Sequence, residues 1–254
     1  WATLQANRRA EITRLNGVYQ SLLVGAGVTL LRGWATLADA HAVRVGDQTF
    51  TAQHILVATG GRPVVPDVPG RELVLTSDDM FDLTPFPGRL LVVGGGYIAC
   101  EFASIFHGLG SQVTQLYRGE QVLRGFDADV RNFVAAEMVR AGVDLRVQTQ
   151  VQAIARTPEG LQATLGDGSH LTVDAVLYAT GRAPNTSGLG LEKAGVKMSE
   201  RGRIVVDKTV AEEEERIKDL RVTSEAKRHK DTVVLHAEAQ AEEAYVAQIK
   251  AAEA

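Results

Sequence analysis

Apolar positions along this chain fall into two rhythms, one helical and one alternating. Over residues 1–23, Leu4, Ile12, Leu15, Val18, Leu22 and Leu23 recur at near-helical spacing while Arg8, Arg9, Glu11 and Arg14 lie largely off that stripe. This predicts an amphipathic helix, stopped at Gly25 and Gly27. Residues 28–31, 42–45 and 50–57 then read as short strands, with Gly46-Asp47 as a hairpin turn. The proline-punctuated stretch 63–69 reads as an extended, exposed connection between domains. Beyond it, residues 89–93 form a buried-strand pattern that runs into Gly94-Gly95-Gly96 and a helical pattern over 97–107. Strand, helix and strand patterns follow at 112–117, 128–141 and 144–147. Such alternation predicts an α/β fold with a parallel sheet and helices on both faces. Residues 160–165 and 170–173 flank Gly166-Asp167-Gly168, a second hairpin signal, and an apolar strand follows at 175–179.

The chain also echoes itself. Phe50-Thr51-Ala52-Gln53-His54-Ile55-Leu56-Val57-Ala58-Thr59-Gly60 resembles Leu171-Thr172-Val173-Asp174-Ala175-Val176-Leu177-Tyr178-Ala179-Thr180-Gly181, and arginine and proline follow both closely. Two similar units are expected, each a strand ending in a small-residue turn where a ligand can approach the backbone. The second has a glycine-rich turn upstream at Gly94. The first has none after Trp1, so its domain is expected to be incomplete.

Composition narrows the function classes. The 254 residues are 45% hydrophobic and 23% charged, enough for a buried core in one or two domains. No apolar run approaches the roughly 18 residues of a membrane span, and no charged-then-apolar leader opens the chain, so a cytoplasmic setting is expected. Cys100 is the single cysteine, which excludes an internal disulfide, a CxxC pair and a cysteine-rich zinc site; no metal is expected. The net charge of −4 belongs to residues 209–254, with 11 acidic and 7 basic side chains, and argues against a nucleic-acid binder.

The chemistry concentrates at Gly94-x-Gly96-x-x-Ala99, between a strand and the first turn of a helix. In the dinucleotide fingerprint, the first glycine permits the tight turn and the second lets a diphosphate approach the backbone. The small third residue lets helix and strand pack closely. The diphosphate then meets the free N–H groups and the positive end of the helix dipole. An acidic residue about 20 to 25 positions on would select NAD. Arg118 stands there instead, with Arg124 six residues later, and two guanidinium groups on one loop suit the 2′-phosphate of NADP.

These residues carry a resemblance. Gly94-Gly95-Gly96-Tyr97-Ile98-Ala99-Cys100-Glu101-Phe102, the 118–127 loop with Val122-Leu123-Arg124-Gly125-Phe126-Asp127, and Ala179-Thr180-Gly181-Arg182-Ala183-Pro184-Asn185 together resemble the glutathione-disulfide reductases of the bacterial type, over about residues 1–207. The resemblance implies a flavoenzyme in which NADPH gives a hydride to FAD, and the reduced flavin opens a protein disulfide that reduces glutathione disulfide. It assigns Gly94, Gly95, Gly96, Tyr97, Ile98, Glu101, Arg118, Arg124, Thr180 and Gly181 to NADPH. Tyr97 would cover the flavin until nicotinamide arrives, and Glu101 would lie beside the nicotinamide. It places Trp34, Ala35, Thr59, Gly60, Ser77 and Arg182 near the flavin nucleotide.

The departures matter equally. The family's CxxxxC disulfide, its amino-terminal flavin fingerprint, its later flavin-holding Gly-Asp and its His-Glu acid–base pair have no counterpart in these 254 residues, so no catalytic residue is expected. The resulting expectation is a doubly wound, Rossmann-like NADP(H)-binding domain at 87–186, a partial FAD-binding domain at 1–86 and a return segment at 187–208. A charged helical tail at 209–254, unrelated to the family, completes it, with a strand at 231–236 and a helix at 237–254. Disulfide reduction by the chain alone is not expected. The competing expectation is a non-catalytic nucleotide-fold scaffold whose tail binds a protein partner; another keeps the enzyme class but uses NAD, as dihydrolipoamide dehydrogenases do. A partner or a missing segment would be met through 1–60 and 209–254, and the family's homodimer is unsupported here.

Overall fold

The computed structural model describes residues 1–206. The expected tail at 209–254, with its strand and helix, lies outside the described residues. The chain opens with α1 (Ala2–Gly25), followed by β1 (Ala35–Leu37), β2 (Ala42–Val45), β3 (Gln48–Thr51), β4 (Gly61–Pro63) and the single turn α2 (Ser77–Met80). Next come β5 (Arg89–Val93), α3 (Tyr97–Gly108), β6 (Gln112–Leu116), α4 (Ala128–Ala141) and β7 (Asp144–Arg146). The last elements are β8 (Val151–Thr157), β9 (Gly160–Leu165), β10 (His170–Val173), β11 (Ala175–Tyr178) and β12 (Arg182–Pro184).

The centre is a parallel sheet of order β11-β5-β6-β7. β5 and β11 are buried on both faces, and the two faces divide by strand alternation. Leu90, Val92, Val113 and Leu177 face Ala99, Phe102, Ala103 and Phe106 of α3 and Ala135 and Met138 of α4. Leu91, Val93, Leu116, Val176 and Tyr178 face Ile154, Leu161, Ala163 and Leu165 of the antiparallel sheet β10-β9-β8. The sheet is covered twice, as expected, but helices take one face and a second sheet the other. The reason lies in the pairing of 151–173, which alternates apolar and polar residues and so presents one apolar side to the parallel sheet. Burial also holds the Tyr178 hydroxyl neutral, pushed up to about 12.

Helix α1 forms over the expected span, but its apolar stripe is not buried. Leu4, Ile12, Val18, Leu22 and Leu23 are exposed, and the helix docks by its first turn. There the Trp1 indole donates to the Leu83 carbonyl at 2.7 Å and packs on Phe86 and Phe106, while the Gln5 amide reaches the carbonyls of Phe81 and Leu83. Residues 28–31 form no strand, and the strand expected at 50–57 ends at Thr51. Past the Ala52 N–H, which donates to His41 O at 2.9 Å, no neighbour pairs with 53–58 among the described residues, so this backbone gains no ladder and Leu56 is 89% exposed. Its echo at β11 sits beside β5 with every side chain buried. The stretch 63–69 is also less exposed than expected: Val65 and Val68 pack on the second core, and the Pro69 carbonyl accepts from the Ile154 N–H at 2.8 Å.

The two echo units meet. Their arginine–proline ends are β4 and β12, which pair with each other antiparallel, Arg182 opposite Pro63 and Pro184 opposite Gly61. At the other edge of the parallel sheet, Asp174 accepts from the Arg89 N–H at 2.7 Å and from its guanidinium at 2.6 Å. That guanidinium, first of all, holds the Asp174 carboxyl below its usual range. A depressed carboxylate stabilises the fold above its unfolded value near 4 and loses that contribution as pH falls through its folded value. Both side chains are 39% exposed, so solvent screening limits the pair to about 1 kcal/mol or less. Asp174→Asn is expected to lower stability by that amount at pH 7 and to flatten the acid limb of a urea-stability curve below about pH 4.

Candidate functional site

Parallel strands deliver their carboxyl ends to one edge, and β5 and β6 bring two loops together there. The first is Gly94-Gly95-Gly96. Gly94 has φ 145°, and a Cβ on it would stand 2.3 Å from the Ala179 carbonyl oxygen on the neighbouring strand. Its N–H donates to Leu116 O at 2.9 Å. A Cβ on Gly95 would stand 2.4 Å from the Tyr117 ring, whereas one on Gly96 would meet nothing within 4 Å. The turn is therefore sealed from below and open above.

Gly96 is the N-cap of α3, in extended backbone and without a side-chain cap. Cys100 is the first helix residue whose N–H finds a carbonyl, that of Gly96. Among the described residues the N–H groups of Gly95, Gly96, Tyr97, Ile98 and Ala99 have no acceptor. Five donors at the positive end of a three-turn helix form an anion shelf. Tyr97 and Glu101 are exposed one turn apart beside it, and Ile98 is half-buried.

The second loop, 117–127, carries Arg118 and Arg124. Both are exposed, and among the described residues neither guanidinium has a hydrogen-bond or ion-pair partner. The loop itself is firmly held. Val122 and Leu123 are buried, the Arg131 guanidinium donates to the carbonyls of Val122 and Gln121 at 2.9 Å, and Asp127 caps α4 through the N–H of Asp129 and Val130. Leu123, in left-handed backbone at φ 57°, donates its N–H to the Gly95 carbonyl at 2.6 Å. The loop bearing the free cations is thus hydrogen-bonded to the glycine turn.

Thr180 and Gly181 follow β11 at the same edge. The Thr180 hydroxyl donates to Val64 O at 2.8 Å and the Gly181 carbonyl accepts from the Val64 N–H. Four of the six residues assigned to the flavin nucleotide form one linked cluster with Asn185. Arg182 reaches Gly61 O, the Ser77 hydroxyl at 3.4 Å and Asp78 at 3.9 Å, while Asn185 bonds Gly60 O through its N–H and Thr59 O through its amide. Trp34 and Ala35 lie apart, with Trp34 70% exposed and Ala35 paired to Val45. The Arg182 donors are committed to protein oxygens, and no glycine turn opening a helix of eight or more residues adjoins these six among the described residues. The bonds of this cluster join the two echo units.

Three residues at this edge escape sequence reasoning: Gln115, Leu123 and Arg131. Gln115 is a polar residue in a strand whose neighbours are buried, which is the one signal that could have marked it. Leu123 acts through its backbone N–H and Arg131 through a guanidinium that meets backbone carbonyls, and no residue-type pattern announces either. Away from this edge, a concavity of about 430 Å³ lined by His107, Ser111, Thr114, Gly142 and Asp144 lies at the amino end of β6 and β7. It shares no residue with the anion shelf; phosphates bind to an open helix end and need no enclosed cavity. Among the described residues no helix is long and apolar enough to cross a membrane, and no cluster of three metal-ligating side chains occurs.

Comparison with known proteins agrees with this architecture. The family model described as pyridine nucleotide-disulphide oxidoreductase matches residues 2–217. Glutathione reductase of Burkholderia cepacia is 49% identical over 207 residues, covering 82% of this chain and 46% of the relative. The chloroplastic/mitochondrial glutathione reductase of Pisum sativum is 44% identical over 208 residues, 82% of this chain and 38% of the relative. The chain thus spans less than half the length of these curated relatives. Among solved structures, the HOCl-induced flavoprotein disulfide reductase RclA from Escherichia coli superposes with a TM-score of 0.75 at 32% identity, covering 80% of this chain and 48% of that one.

Proposed function

The chain belongs to the pyridine nucleotide-disulphide oxidoreductase family, and from that premise we propose that it is the NADPH-binding portion of a glutathione reductase-like flavoprotein. The observation that carries the proposal is the pairing of an open five-donor helix terminus with two guanidinium groups on the adjoining loop that have no partner among the described residues. Bound NADPH supplies a hydride. The chain's own residues hold and orient it: the N–H groups of 95–98 take the diphosphate, and Arg118 and Arg124 take the 2′-phosphate. Tyr97 and Glu101 border the shelf on the exposed face of α3, where a nicotinamide would extend, and Thr180 and Gly181 close the neighbouring strand end. In this reading residues 87–186 form the nucleotide unit of a cytoplasmic protein, with 1–86 and 187–208 packed beside it as part of a flavin domain.

We assign nucleotide binding, and not disulfide reduction, to this chain. Its one cysteine is buried in α3, and burial above all pushes the Cys100 thiol up, away from the thiolate that attacks disulfides. It supplies neither a dithiol nor a ready nucleophile. Calorimetric titration of the whole chain with NADPH and NADH is expected to give a preference for NADPH of about 100-fold, the contribution of two charge-assisted phosphate contacts. Equal affinity for the two would end the assignment of the arginine loop to the 2′-phosphate.

A further inference from the structure

Gln115 lies on β6 beneath the glycine turn and is wholly buried. Its Nε2 donates to the Gly94 carbonyl at 3.0 Å and stands 3.6 Å from Cys100 Sγ, but its Oε1, also buried, has no partner among the described residues. An orphaned acceptor in a core is a standing cost. Such a cost is characteristically retained where the group serves function.

We infer that Gln115 is a positioning residue of the nucleotide site, its buried amide pinning the glycine turn so that the backbone N–H groups face the diphosphate. The inference rests on the nucleotide-binding reading above and explains how the shelf is built. In a trans peptide the carbonyl and the following N–H point in opposite directions. Gln115 draws the Gly94 carbonyl down towards β6, which turns the Gly95 N–H upward. The Leu123 N–H holds the Gly95 carbonyl at 2.6 Å, which turns the Gly96 N–H away from the loop. Two successive peptide planes are locked, and their donors are left without acceptors. Glycine cannot hold such an arrangement by itself, because it adopts so many backbone conformations. The lock comes from outside the turn, from one side chain and one strained backbone.

Gln115→Leu separates positioning from structure. The expected result is a loss of affinity of about five- to tenfold for NADPH and NADH alike, because the diphosphate is common to both, with the ratio between them unchanged. The urea midpoint of the variant is expected to stay close to that of the wild type, since the orphaned Oε1 is exchanged for a Gly94 carbonyl that has lost its donor. Gln115→Met, longer and unbranched, provides the same comparison if the leucine variant does not fold. Wild-type affinities retained in a folded variant would overturn the inference while leaving NADPH binding standing. An affinity loss that tracks a fall in the urea midpoint would overturn it too, by making Gln115 a packing residue. A wild-type chain that binds neither dinucleotide would remove the parent reading and this one with it.

Discussion

Arg118→Ala combined with Arg124→Ala is expected to weaken NADPH binding by about 100-fold while changing NADH affinity less than about threefold. Hydrogen bonds to a charged group contribute about 1.5–3 kcal/mol each, and exposure on this loop sets both at the low end, near 3 kcal/mol together. The two guanidinium groups are free to make those bonds because nothing among the described residues competes for them. The other arginine of this region shows the contrast. Arg131 spends its donors on the carbonyls of Gln121 and Val122 and holds the loop from below, so its replacement would disturb both nucleotides through the loop. The discriminating measurement is the ratio of NADPH to NADH affinity, with raised salt weakening the NADPH term in the wild type and not in the double variant. A double variant that still prefers NADPH by tenfold or more would place the 2′-phosphate elsewhere.

The glycine turn should divide just as sharply. Gly94→Ala is expected to cost about 3–5 kcal/mol, a large share of the 5–15 kcal/mol that stabilises a typical domain. The new methyl would meet the Ala179 carbonyl oxygen at 2.3 Å and its carbon at 2.8 Å. Both belong to backbone that leaves the strand paired with β5, so relief requires the β5–β11 pairing to open. The φ of 145° adds its own penalty for a residue with a Cβ. Gly96→Ala is the opposite case. Its φ of −83° suits alanine and its Cβ would point into open space, so folding stability should move by less than about 1 kcal/mol. That open space is where a diphosphate would rest, and both dinucleotides are expected to bind about tenfold more weakly. Urea unfolding and nucleotide titration on the two variants test the pair. A destabilised Gly96→Ala with intact affinity would move the phosphates off this turn.

Much of this edge was legible in the residues themselves. A strand of Arg-Leu-Leu-Val-Val followed by three glycines and a small-residue helix admits few arrangements, because the buried strand must end where the glycines allow a turn and Ala99 admits close packing. Arg118 could be placed at the end of the next strand by counting. The echo between 50–60 and 171–181 pointed to two related units, and their arginine–proline ends do pair. What the pattern misjudged was the first unit. Ile55, Leu56 and Val57 have the composition of a buried strand, yet a strand is made by its neighbours, and none pairs with these residues among those described. The apolar stripe of α1 failed likewise, since periodicity marks a face able to pack and says nothing of what packs on it.

The sequence by itself determined the alternation of strands and helices over 89–147, the parallel sheet, the position of the glycine turn and the charge of the loop beside it. Those are properties of residue type and spacing, set by backbone geometry within a few positions. Only the tertiary structure decided that a second sheet rather than helices covers the rear face, and that Arg182 joins the two echo units. It alone placed Gln115 and Leu123 so that they lock the turn's carbonyls. Each of these depends on pairs of groups far apart in the chain, many of them backbone atoms that every residue carries alike, and identity along a sequence holds no trace of which such atoms will meet.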